Sequence, residues 1–240
     1  MRLSRTIAAA RTALPLLLVA ALGCHPFPKD PEDSLERARE RGRLRVGVSE
    51  APPWVVRDGE EARGVEPDLV RSFAESLGLA VDWRWGTVEE HVAALEAFRL
   101  DLLAGGITAS NPSAKKIGAT RAYYEERITV GGLPAGGSIK GARVAVPKGK
   151  PWIDPLEERG ARPYEVDDLW ASEVRGPRAA PAWELARHGR TPHPELRLAR
   201  HRHVLAVPPG ENALLVHLER YLQARRPAVE DRLRRGEDRP

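Results

Sequence analysis

Apolar positions in the first half of the chain switch repeatedly between two spacings. Residues 44–48 (LRVGV) alternate apolar and other side chains, the period of a strand, and Pro52 and Pro53 stop the run. Leu69, Val70, Phe73 and Leu77 then fall on one helical face behind Pro67 and Asp68, and Gly78 sits where a helix commonly ends. Leu79, Val81, Trp83 and Trp85 return to period two. Thr87 and Glu90 have the spacing of a capping box, in which hydroxyl and carboxylate each satisfy an orphan backbone N–H, and Val88, Val92, Leu95 and Phe98 follow at helical spacing. Residues 100–104 form a short apolar strand of the kind buried on both faces. This β-α-β-α-β order predicts a parallel sheet covered by helices, an α/β fold.

The pattern weakens further along. Residues 34–41 predict a short charged helix ending at Gly42. After Tyr124 the segment ERITVGG reads as a strand, residues 131–141 are glycine-rich, and ARVAV (142–146) opens a second unit. From Pro147 to Arg202, prolines and arginines outnumber any clear apolar period. HVLAV (203–207) predicts another strand, and Pro208, Pro209 and Gly210 lead into a helix striped by Leu214, Leu215, Leu218, Tyr221 and Leu222. The charged tail, residues 227–240, is expected to fray.

The N-terminal end changes how the charge is read. Arg2, Arg5 and Arg11 precede an apolar run over residues 12–23, too short to span a bilayer, so residues 1–23 predict a signal peptide. The formal net charge of +4 includes those three arginines and no leader acid, which leaves about +1 for the remainder and no electrostatic case for nucleic acid. Cys24 is the one cysteine of the chain, so no intrachain disulfide forms. It follows AALG, an arrangement that resembles a bacterial lipobox and implies lipidation of Cys24. Residues 24–33 read as a tether rich in proline and charge.

Candidate chemistry is sparse. Residues 64–124 hold no nucleophile–base pair, metal-ligand cluster or phosphate loop. His188, His193, His201 and His203 fit no common zinc spacing, stand among arginines and read as solvated loop histidines, so neither metal nor cofactor is expected. Gly105, Gly106 and Thr108 leave backbone and hydroxyl groups bare at a strand end, where open α/β sheets bind ligands. Lys148 and Lys150 flank Gly149 in a turn suited to an anion, and Trp54 is placed either to line a cleft mouth or to pack behind Pro53.

Taken together, GRLRVGV with PPW, GVEPDL, LDLLAGGIT, KKIGATRAYY, GARVAVPKG and VLAVPPGENALLVHLERYL resemble the family-three extracytoplasmic solute-binding proteins of ABC importers. The resemblance implies a two-lobed Venus-flytrap fold with two crossover strands, near residues 128–132 and 203–207. It implies a discontinuous first lobe (34–130 and 208–226) and a shortened second lobe (131–207). It also implies a monomer that closes about a hinge on its ligand and presents that form to a permease. In this family an arginine forks onto the ligand carboxylate, a stacking aromatic precedes the PPW-like motif, and acids of the second lobe take an α-ammonium. The matching positions here are Ser113, Ala51, Arg175 and Pro181, so a standard α-amino acid lacks its usual partners.

The expected ligand-binding set is therefore Trp54, Gly105, Gly106, Thr108, Ser113 and Lys150, with no catalytic residue. Ser113 reads alternatively as a helix N-cap. Three classes of function follow: a lipid-anchored binder of a small polar solute, an enzyme resembling the periplasmic cyclohexadienyl dehydratases, and a non-transporting module. The last rests on DLLAGG and AYY, which also resemble the solute-binding-like domain of the F-type membrane-bound lytic transglycosylases.

Overall fold

The computed structural model describes residues 30–134 and 137–236, so the leader, Cys24 and most of the tether lie outside the described residues. The chain runs α1 (Ser34–Arg41), β1 (Arg43–Val48), β2 (Val56–Asp58), β3 (Glu61–Arg63), α2 (Val65–Ser76), β4 (Ala80–Trp85), α3 (Val88–Glu96), β5 (Leu102–Ala104), β6 (Gly118–Ala119) and β7 (Tyr124–Gly131). It continues through β8 (Arg143–Pro147), α4 (Ile153–Glu157), β9 (Arg162–Val166), β10 (Arg178–Pro181), α5 (Ala182–Arg187), β11 (Ala199–His203), β12 (Ala206–Val207) and α6 (Asn212–Arg235). Among the described residues, no helix is long and apolar enough to cross a membrane.

Two five-stranded sheets organise two lobes, in the orders β4-β1-β5-β12-β6 and β11-β7-β10-β8-β9. In the first, β1 pairs parallel with β4 and β5, as the alternating period requires, and the wholly buried β5 lies inside the sheet. The capping box forms: the Thr87 hydroxyl accepts from the Glu90 N–H, and the Glu90 carboxylate accepts from the Thr87 N–H at 2.8 Å. Asp101 is fully buried and accepts from the guanidinium groups of Arg41 and Arg45, tying the α1–β1 corner to β5.

The chain passes between sheets at residues 120–123 and 204–205. The first passage precedes the expected crossover near 128–132, because β7 from Tyr124 onward pairs with β10 and β11 in the second sheet. The expected strand at 203–207 divides for the same reason: His203 pairs with Tyr124 in one sheet, and Ala206 with Leu103 in the other.

Up to Gly236, the described part of the tail is helical rather than frayed. Helix α6 continues to Arg235, and Val229 and Leu233 extend the buried stripe of Leu214, Leu218 and Leu222. Pro227 interrupts this helix, at a typical cost of about 3 kcal/mol. Burying two aliphatic side chains returns about 1.5–3 kcal/mol each, enough to carry the helix past it. Arg232 adds an ion pair to Asp68 on α2.

Residues 147–202 form an ordered half-lobe despite their faint apolar period. Trp152, Leu156, Leu169, Val174, Ala179, Ala180 and Leu185 are buried in its core, while Trp183 packs into the core of the first lobe. Arg178 is buried, and its guanidinium donates to the carbonyls of Leu169 (2.9 Å), Gly176 (3.1 Å) and Val174, pinning the loop ahead of β10.

Candidate functional site

A cleft of about 890 Å³ opens between the lobes. One wall comes from the ends of the first-lobe strands and carries Glu50, Pro52, Trp54, Gly106 and Thr108. The opposite wall carries Lys150, Trp152, Asp168, Trp170, Glu184 and Arg187, and the floor between them carries Glu126, Ile128, His201 and His203.

The first-lobe wall is set by one buried carboxylate. Glu66, in the first turn of α2, is completely buried and accepts from the Gly106 N–H at 3.0 Å and the Tyr123 hydroxyl at 2.7 Å. Burial pushes its carboxyl above the usual carboxylate range, and these hydrogen bonds offset only part of that effect. The same burial, with Glu66 beside it, raises the Tyr123 phenol well above its ordinary value. Gly106 adopts φ +63°, and a side chain there would come within 2.8 Å of the Ala51 Cβ, so the strand end stays bare for steric as well as conformational reasons.

The floor is built on a second buried carboxylate with the opposite shift. Glu126 on β7 lies directly across from His201 on β11, and strand alternation turns His203 to the same face. Its carboxylate accepts from the Trp183 indole at 3.0 Å, contacts His201 Nδ1 at 3.0 Å and lies 3.7 Å from His203 Nε2. Burial alone would raise its pKa, but the hydrogen bonds to His201 and Trp183, with His203 close by, win and hold it at about 2. His203 is 3% exposed, stacks on Trp54 with ring centroids 3.8 Å apart, and neither of its ring nitrogens has a hydrogen-bond partner among the described residues.

Of the residues expected to bind ligand, Trp54, Gly106, Thr108 and Lys150 line this cleft. Trp54 is 6% exposed, with one ring face covered by His203, so packing dominates its surface. Gly105 lies beneath the wall, where a side chain would approach Ser49 Cβ at 3.2 Å. Ser113 does not line the cleft, and it does not cap its helix: Asn111 is the N-cap of that single 3₁₀ turn, its side chain accepting the Ser113 N–H at 2.9 Å. At the Lys148–Lys150 turn, the Gly149 N–H already donates to Glu165 at 3.0 Å.

Sequence reasoning missed the floor. Glu126, His201, His203, Trp183 and Arg187 all border the cleft, and His201 and His203 belong to a strand rather than to a solvated loop. The signal was present in the alternate spacing of the two histidines, but only the register of β7 against β11 supplies their glutamate. Among the described residues no cluster of histidine, cysteine or carboxylate side chains could hold a metal ion.

A family model described as "Bacterial extracellular solute-binding proteins, family 3" matches residues 44–227. Among curated proteins, the membrane-bound lytic murein transglycosylase F of Vibrio cholerae is 31% identical over 112 residues, covering 46% of this chain. This chain spans about a fifth of that relative's length, the match covering 21% of it. Among solved structures, an ancestral cationic amino acid solute-binding protein superposes with a TM-score of 0.66 at 19% identity, covering 86% of this chain and all of the other. The L-cystine solute receptor of Neisseria gonorrhoeae, in its unliganded open conformation, gives a TM-score of 0.65 at 16% identity, covering 81% and 91% of the two chains. At such identities the likeness is one of fold: two-lobed, type II periplasmic-binding architecture.

Proposed function

This chain belongs to the bacterial extracellular solute-binding proteins of family 3, and on that premise we propose that it captures a small polar solute, amino-acid-like or an organic anion, in its interlobe cleft without transforming it. One observation carries this reading: a cleft of about 890 Å³, of ordinary small-ligand size, takes its walls from both lobes and its floor from the two strands that join them. A solute touching both walls favours the closed arrangement by whatever affinity it gains there, and the closed form is then what a partner recognises.

The leader exports the chain, Cys24 carries a lipid that holds the monomer at a membrane, and an ABC-type importer receives the solute. Turnover is not part of the proposal, and release of product from prephenate or arogenate would overturn that element. Mass spectrometry of small molecules co-purifying with the exported protein tests the central claim. A solute present at a hundred times its Kd should stabilise the fold by about 2.7 kcal/mol, a rise in Tm of roughly 5–10 °C. A broad solute library that leaves the Tm unmoved counts against binding.

A second reading is favoured by the Vibrio cholerae relative: a non-transporting module that regulates a partner at the cell wall. Retention of the protein on purified peptidoglycan, with no Tm response to free solutes, would select it.

A further inference from the structure

Arg187 is a cation of the cleft that forms no ion pair among the described residues. It sits on α5 in the second-lobe wall, its guanidinium carbon 5.2 Å from the ring centre of Trp183. Its Nε is buried and has no hydrogen-bond partner among the described residues. The cap of α6 packs behind it: a side chain built on Gly236 would meet Arg187 Cδ at 3.1 Å, Nη1 at 3.6 Å and Nε at 3.9 Å. A buried guanidinium N–H without a partner is costly, which makes it a receptor in waiting for an anion.

Among the described residues, none of the cleft carboxylates pairs with Arg187. Glu126 is answered by Trp183 and His201. Glu184, three residues before Arg187 on the same helix, accepts instead from the Trp170 indole at 2.8 Å. Asp168 accepts from the Trp170 backbone N–H at 2.8 Å, and Asp167 lies 3.7 Å from Lys148 Nζ. Glu50 is exposed, where water and salt screen it. Exposed Lys150 adds a second cation on the wall that carries Arg187, and the floor and that same wall offer Ile128, Leu169 and Trp152 as apolar surface.

We propose that Arg187 is the anion receptor of this cleft, and that the captured solute is a small carboxylate with an apolar body, held carboxylate-first against the second lobe. The first-lobe position where the family resemblance expects an arginine is Ser113, outside the cleft, so the charge has changed walls. The guanidinium offers a planar, paired set of donors to a carboxylate, and Trp183 holds that plane in place. This inference rests on the binding function proposed above and names its ligand class.

The test pairs probes of like shape and opposite charge: phenylacetate and 4-methylpentanoate against phenethylamine and isoamylamine, titrated calorimetrically into the full exported protein. The carboxylates should bind and the amines should not. Arg187→Gln should weaken carboxylate binding by about tenfold or more, as for the loss of a charge-assisted pair. Arg187→Lys, which keeps the charge without the planar fork, should fall between, and its native melting curve controls for folding. Carboxylate affinity unchanged in Arg187→Gln overturns the proposal, and so does binding of the amines at equal or greater strength. If the four probes fail but another class of solute binds, the ligand class falls and the binding function stands. If no solute of a broad library binds, both fall.

Discussion

Glu66 and Glu126 are both buried glutamates beside one cleft, yet their acidities move in opposite directions. Glu66 is met by two donors from the first lobe, one backbone N–H and one phenol, and burial outweighs both. Glu126 is met by two imidazoles and an indole gathered from β11 and α5, and these outweigh burial. The balance between burial and the partners it allows decides which form of a buried acid the fold prefers. Glu66 is a strut inside one lobe, whereas Glu126 is a charge centre joining the two crossover strands to the second lobe.

The largest effect should come from removing the charge centre. Glu126→Ala leaves the Trp183 indole N–H and His201 without their acceptor and should cost about 3–5 kcal/mol, read as a lower midpoint in urea unfolding. Glu66→Ala, which orphans two neutral donors, should cost less, about 2–3 kcal/mol. Glu66→Gln should recover much of that loss, because its amide oxygen still accepts. An equal loss in Glu66→Gln would mean that the ionised form matters and would break the contrast.

The contrast also fixes the sign of the pH dependence. Glu126, lowered to about 2 in the fold, contributes stability that is fully present above about pH 4.5 and is lost as the pH falls toward 2. Glu66, raised in the fold, favours its neutral form; its contribution is present below about pH 4.5 and is lost as the pH rises through its elevated value. Urea midpoints across pH should therefore lose their acid-side fall in Glu126→Gln and part of their decline with rising pH in Glu66→Gln. A parallel response of the two variants would show that the acids do not differ. The smallest effect belongs to Ser113→Ala, within about 0.5 kcal/mol and without change in solute affinity, since this side chain lies outside the cleft.

The same two residues mark the limit of what the sequence discloses. Glu66 stands in GVEPDL, ahead of a periodic helix, and its partner Gly106 stands in the bare strand end, so both ends of the strut occupy legible motifs. Glu126 stands in a strand recognisable as such, but its partners lie 57 and 75 residues away in a segment with no visible period. That segment hides because its buried apolar residues, Trp152, Leu156, Leu169, Val174 and Leu185, are scattered among prolines and arginines without a period. Ser113 shows the converse: family register placed it in the cleft, whereas local turn chemistry at Asn111 decided where its backbone goes. The tail misled for a simpler reason. Val229 and Leu233 are two apolar residues among many charges, and only the burial of α6 against the first lobe shows that they continue its stripe.

The far end of α6 has a practical consequence. It belongs to the first-lobe core, yet the glycine that caps it, Gly236, abuts Arg187 on the opposite wall. An environment-sensitive dye on the solvent side of that final turn would respond to what occupies the guanidinium while standing clear of the opening. The protein would then serve as its own fluorescent sensor, with purification handles better placed near Asp30.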